Sequence, residues 1–293
     1  MQKIRFGPSG NSDAFYEEGY KSTAQMPKWL HQMGLDAFEY SFGHGVRIKK
    51  DTAQKIGEEA KAYGIAMSAH APYYINLAAS SCENQQKNVQ YIMETLSAAQ
   101  DMGATRVVVH PGSIAKLDRP SGFEAAKKNL VQILEIKREL GFDDIRLCVE
   151  TMGRLSQLGT VDEVMALCAL DETLLPTLDF GHINARGQGS LRTREDYAAV
   201  FDAVENALGA DRLRIVHIHF SRIEFSATGE KRHWTYQDTQ YGPDFEPLAL
   251  ELAIRSLTPV VICESKGTMA EDAAKLKGIY ENACRIAESG GML

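Results

Sequence analysis

Residues 106–112 read Arg106-Val107-Val108-Val109-His110-Pro111-Gly112. Three consecutive valines are β-branched and apolar, with no alternation of polar and apolar positions. That pattern suits a parallel strand buried on both faces. The run ends abruptly in a histidine, and Pro111-Gly112 then supplies turn chemistry. A helical pattern follows over 122–140 and stops at Gly141, a helix-ending glycine. One unit of strand, turn and helix is therefore legible.

The same unit recurs along the chain. Apolar, strand-like runs occur at 3–6, 37–40, 65–69, 106–109, 146–149, 175–178, 214–218 and 259–263. Helical patterns lie between and after them at 51–63, 84–102, 122–140, 160–169, 194–208, 246–257 and 270–289. Thr160 and Glu163 have the spacing of a capping box. Strands alternating with helices predict βαβ units and a parallel sheet. Eight such units predict closure into a (β/α)8 TIM barrel, an α/β fold that commonly occupies about 250 residues. The 293-residue chain has no linker-like or low-complexity segment, so residues 1–293 are read as a single domain. The longest irregular stretch, 220–245, follows the seventh strand, and a loop of that length in a compact domain is usually functional.

Composition is that of an ordinary globular protein, 44% hydrophobic and 24% charged, with a formal net charge of −7. No Lys/Arg block marks a long nucleic-acid footprint, although bound divalent cations would reverse the sign locally. Five cysteines without a CxxC pair read as small buried hydrophobes in a reducing compartment. The N-terminus lacks a signal-peptide pattern, and no stretch is long enough to span a membrane. The expectation is a cytoplasmic monomer with no membrane partner.

The polar residues at the strand ends carry the chemistry. The third strand runs into His70, the fourth into His110 and the fifth into Glu150. The sixth ends at Asp179, with His182 three residues on. The seventh carries His217 and then His219, and the eighth ends at Glu264. His233 lies in the long loop. In a barrel these ends converge on one mouth, where active sites sit. Any one of these histidines alone reads as an ordinary hydrogen-bonded residue. Together they include six of the chain's eight histidines, and so many imidazoles and carboxylates in one place would be costly without a cation. Imidazole and carboxylate suit zinc, with manganese and iron as competitors. His219 shares its barrel face with His217 and reads as a ligand, a supporting donor or a base. Tyr73 and Tyr74 lie beyond a strand end next to His70 and read as substrate-facing. Arg222 and Arg232 are candidates for holding an anion.

These residues resemble the endonuclease IV family (apurinic/apyrimidinic endonuclease family 2), within the xylose-isomerase-like barrels. The likeness runs from about residue 3 to residue 280. Its motifs are His70-Ala71-Pro72-Tyr73-Tyr74-Ile75-Asn76-Leu77, His110-Pro111-Gly112-Ser113, Glu150-Thr151-Met152-Gly153, Asp179-Phe180-Gly181-His182 and Cys263-Glu264-Ser265, with His217 and His233. The resemblance implies two or three zinc ions. His70, His110 and a bridging Glu150 would hold the first. Glu150, Asp179, His217 and Glu264 would hold the second, and His182 and His233 the third. The family's last ligand, an Asp two residues before the loop His, is Lys231 here, with Glu230 beside it. Tyr73 and Tyr74 match the family residues that push into DNA at a lesion, and Arg47 loosely matches an inserting arginine.

Two activities follow as expectations. The first is a zinc-dependent phosphodiesterase that cleaves DNA 5′ to abasic sites in base-excision repair, with Glu150 and Glu264 as catalytic carboxylates. The alternative is a sugar isomerase or epimerase of the same superfamily, using one divalent ion such as Mn2+ and the four-ligand set Glu150, Asp179, His217 and Glu264. Lys231 favours the second, whereas His70, His110, His182 and His233 favour the first.

Overall fold

The computed structural model describes residues 3–43, 45–114 and 117–289. In chain order the strands are β1 Arg5–Pro8, β2 Ala37–Ser41, β3 Ala66–His70, β4 Arg106–Val109, β5 Arg146–Glu150, β6 Leu175–Asp179, β7 His217–Phe220, β8 Arg222–Ser226, β9 Gly229–Trp234 and β10 Val260–Cys263. Eight of them form one sheet in the order β1-β10-β7-β6-β5-β4-β3-β2, with every neighbouring pair parallel. A parallel bridge between Ser9 and Glu39 joins the two ends, helped by Asp36 N donating to Phe6 O at 3.0 Å and Gly10 N to Glu39 O at 2.9 Å. The expected TIM barrel is thus present.

The valine run of β4 is fully buried. Each valine removed from water contributes roughly 1.5–3 kcal/mol relative to leaving it exposed. The flanking helices present one apolar face to the strands. In the helix Cys82–Asp101 the buried residues are Asn88, Ile92, Thr95, Leu96, Ala98 and Ala99, a spacing near the helical period. The Thr160 capping box is made: Glu163 N donates to Thr160 Oγ1 at 3.2 Å, and Thr160 N donates to Glu163 Oε2 at 3.0 Å. Gly64 ends its helix in the left-handed region, at φ 69°, where a side chain would be strained. No helix among the described residues is long and apolar enough to cross a membrane.

Two departures from expectation reshape the site. The seventh strand begins at His217 rather than at residue 214, because Ala210–Arg214 forms a short helix and uses those residues. The long stretch after it folds in part into the antiparallel hairpin β8–β9. That hairpin is tied down by a bridge from Gly229 to Arg154.

Candidate metal centre

The predicted strand ends do meet. Register explains how. Glu150 pairs with Thr177 across β5 and β6, and Asp179 pairs with His219 across β6 and β7. Glu150, Asp179, His219 and Glu264 each place a ligand atom within 4.8 Å of the others. Glu150 lies at the centre. Its Oε2 is 3.2 Å from His70 Nε2 and 3.0 Å from His110 Nε2, and its Oε1 is 3.1 Å from His219 Nδ1. Glu264 Oε1 is 3.5 Å from the same Nδ1.

One ligand assignment is corrected. His217 does not join this cluster. It pairs with Thr177, one layer deeper in the barrel, while His219 takes the place beside Asp179. Both residues face inward because strand side chains alternate. The register of β7 on β6 decides which of them reaches the mouth. His217 Nε2 lies instead 2.9 Å from Glu39 Oε2. Burial lowers the His217 imidazole to about 4, despite the opposing pull of Glu39.

A second group stands beside the first. His182, Glu230 and His233 place ligand atoms within 4.8 Å of one another, with His182 Nε2 3.4 Å from Glu230 Oε2. Glu230, and not Lys231, therefore stands beside His182 and His233. Lys231 is drawn away by Glu224, 2.5 Å from its ammonium, and Arg232 binds the other oxygen of the same carboxylate at 2.6 Å. Their hydrogen bonds hold Glu224 at about 2. Gly153 makes room for Glu230. A Cβ there would stand 2.6 Å from Glu230 Cβ and 3.0 Å from the His182 ring.

The histidines share a pattern. His70 Nδ1 donates to Ala71 O at 2.7 Å, His110 Nδ1 to Tyr73 O at 3.2 Å, and His182 Nδ1 to Thr151 O at 3.0 Å. Each anchor fixes one proton on Nδ1 and aims Nε2 at carboxylates, to which it donates while the ring is protonated and from which a cation can displace that proton. His233 Nδ1 is held by Ser221 Oγ at 2.8 Å. One nitrogen anchored and the other offered is the usual arrangement of metal-ligating histidine.

Electrostatics fit a cation. Burial opposes ionisation of Glu150, yet the imidazoles of His110, His182, His219 and His70 hold its carboxyl well below the usual range. Burial raises Asp179 to about 6, with Glu264 and Glu150 adding to the push against His182. Burial opposes protonation of His70, but the adjoining Glu150 lifts it to about 9. Asp179 Oδ1 accepts from His182 N at 2.7 Å. Its Oδ2 is fully buried without a hydrogen-bond partner. The nearest donor, His182 Nδ1 at 3.3 Å, is already spent on Thr151. An unpartnered carboxylate oxygen aimed among like charges suits a divalent ion, and the mixed imidazole and carboxylate donor set suits zinc or manganese.

The cluster floors a cleft of about 370 Å3 lined also by Tyr73, Met152, Arg154 and Gln157. Tyr73 is 58% exposed and Tyr74 41%. Burial and the neighbouring Tyr91 raise the Tyr74 phenol, and the charge of exposed Arg47 opposes this. Arg222 is corrected as an anion-binding candidate. Its guanidinium is engaged by Tyr241 O at 2.9 Å and Asp244 Oδ1 at 2.6 Å and lies over the Tyr236 ring. Arg232 stacks on Trp234. Sequence reading missed Arg154 at the cleft and Glu39 below it. Neither has a local signal, because each becomes notable only through distant neighbours. Of the five cysteines, all free, Cys148, Cys168 and Cys263 are buried as expected, whereas Cys82 is exposed.

Fold and site together define a (β/α)8 barrel whose mouth gathers histidines and carboxylates suited to divalent cations. The chain belongs to the xylose isomerase-like TIM barrel family, which matches residues 27–282. An uncharacterised protein of Methanocaldococcus jannaschii is 33% identical over 253 residues, covering 86% of this chain and 89% of that protein. A probable endonuclease 4 of Enterococcus faecalis is 31% identical over 159 residues, 52% of this chain. That match spans about half (51%) of the Enterococcus protein's length. Among solved structures, endonuclease IV from Thermus thermophilus superposes with a TM-score of 0.71 at 22% identity, covering 96% of this chain and 99% of that one. A D-tagatose 3-epimerase-like protein superposes with a TM-score of 0.73 at 20% identity, covering 99% of this chain and 100% of that one. At these identities the superpositions speak for the fold.

Proposed function

We propose that the protein is a divalent-cation-dependent phosphodiesterase that cleaves DNA 5′ to abasic sites. The observation that carries this reading is the second ligand group, His182, Glu230 and His233, beside the set centred on Glu150. A proton-shuttling isomerase with a single ion has no use for those extra imidazoles. The partial identity to a probable endonuclease 4 supports the same direction.

His70, His110 and Glu150 would hold one cation, Glu150, Asp179, His219 and Glu264 a second, and His182, Glu230 and His233 a third. Bound zinc would supply Lewis-acid stabilisation of charge on the phosphoryl oxygens and leaving group. The chain's own residues do the rest. Glu264, whose side chain is 16% exposed against 1% for Glu150, is the carboxylate best placed to take a proton from an attacking water. Arg154 lines the cleft and offers a guanidinium fork to a phosphate. Tyr73 and Tyr74 project from the rim, where they can fill the gap left by a displaced abasic nucleotide.

A sugar epimerase is the competing reading. The observation favouring it is the compact quartet Glu150, Asp179, His219 and Glu264, which suffices for one ion and two acid–base carboxylates. Incubation of zinc-replete protein with a duplex bearing one tetrahydrofuran site discriminates. Incision on the 5′ side supports the phosphodiesterase. No incision, together with manganese-dependent epimerisation of a ketose, would replace it.

A further inference from the structure

Beneath the mouth lies a polar layer that the proposed reaction leaves unused. Glu39, in the middle of β2, is wholly buried. Its Oε2 accepts from Ser68 Oγ at 2.8 Å and from His217 Nε2 at 2.9 Å. Arg106 Nη1 stands 3.4 Å from His217 Nδ1 and donates to Val216 O at 3.2 Å. Arginine can only donate, so His217 Nδ1 accepts and its proton sits on Nε2, directed at Glu39.

The other oxygen, Glu39 Oε1, is 2.9 Å from His219 Nε2. The approach is off the ideal donor line. Yet both atoms are buried and neither has another hydrogen-bonding partner, so each is the other's sole recourse. With Nε2 held by Glu39, Nδ1 of His219 faces Glu150 Oε1 at 3.1 Å and Glu264 Oε1 at 3.5 Å. In the cation-free protein Nδ1 donates a proton to Glu150 Oε1; a cation displaces that proton and takes its place between the ring and the carboxylates.

Here the geometry points to a new role: Glu39, oriented by Ser68 and by the Arg106–His217 pair, is a positioning residue that fixes the tautomer and ring plane of His219 so that Nδ1 is offered to the cation. The inference rests on the reading of the mouth as a cation site. It extends that reading to a buried carboxylate 178 residues from His217 in sequence. The trio Glu39, His217 and His219 is not itself a cation site, because the Arg106 guanidinium borders it and Glu39 is occupied by donors.

The test is cobalt(II) titration of wild-type protein, Glu39→Gln and Ser68→Ala, followed by the visible d–d spectrum, with thermal unfolding of each cation-free protein as a folding control. Cation affinity is read rather than turnover, so the result is separate from any test of the reaction. Glutamine presents an NH2 group to one of two N–H donors. Glu39→Gln is therefore expected to weaken cobalt binding by about 10–100-fold and to alter the spectrum. Ser68→Ala, which removes one orienting donor but leaves both imidazole contacts, is expected to move affinity and spectrum in the same direction by less. Nitrogen NMR of histidine-labelled, zinc-loaded wild-type protein gives a readout that does not depend on the variant folding. It is expected to show the His219 proton on Nε2. A proton on Nδ1, wild-type affinity and spectrum in a folded Glu39→Gln, or no cobalt uptake by wild-type protein would overturn the proposal.

Discussion

Asp179 and His219 are register partners across β6 and β7, and this pairing places His219, two residues beyond His217, among the candidate ligands at the barrel mouth. The relationship predicts unequal effects at two histidines that sequence alone treats alike. His219→Ala should remove a direct ligand and abolish binding at the Glu150–Asp179–Glu264 position. His217→Ala should chiefly destabilise the fold, by a few kcal/mol, as loss of a buried hydrogen-bonded side chain does, and should weaken cation binding less. Isothermal titration with zinc alongside thermal denaturation separates the two. Equal losses of affinity would show that the pairing does not order the site.

The hairpin β8–β9 makes Glu230, not Lys231, the neighbour of His182 and His233. Glu230→Ala should lower the number of bound cations by one per chain. Lys231→Ala should leave that number unchanged. Elemental analysis of the two purified variants checks this, and a loss of metal from Lys231→Ala would reverse the assignment.

Cation uptake should be coupled to proton release. In the cation-free protein His70 is raised to about 9, so below that pH its ring carries a proton that a cation must displace. Zinc affinity should therefore rise with pH up to about 9. It should fall further in acid as Asp179, at about 6, takes up a proton. For the cation-free fold the sign is opposite. The raised His70 stabilises fully below pH 6.5 and loses that contribution as pH climbs through about 9. Calorimetry in buffers of different ionisation enthalpy counts the protons, and zero release at pH 8 would contradict the electrostatic picture.

Glu264→Gln removes the most accessible carboxylate of the cluster while preserving its shape. Turnover should drop by about 10²–10⁴-fold, the range general acid–base groups contribute, with the melting temperature little changed. An unaltered rate would place the reacting centre elsewhere.

Much of this architecture is legible in the sequence, for physical reasons. Parallel strands buried on both faces read as apolar runs, so a polar residue at the end of one stands out. His70, His110, Glu150, Asp179 and Glu264 are visible in that way. The choice between His217 and His219 is not, because alternation sends both inward. Only the register of β7 on β6 settles their heights. Glu39 is invisible because a single carboxylate among Ala37, Phe38 and Tyr40 has no periodic signal, and its partners come from other strands. Glu230 depends on a register shift between Glu224 and Phe225 in the hairpin, which no local pattern announces. Arg222 looks available for an anion until Asp244 and Tyr241 claim it.

Counting metals in protein purified without chelators decides whether these side chains jointly hold cations for the proposed phosphodiester cleavage. Two or three zinc ions per chain are expected. A single manganese ion, or none, would contradict that proposal.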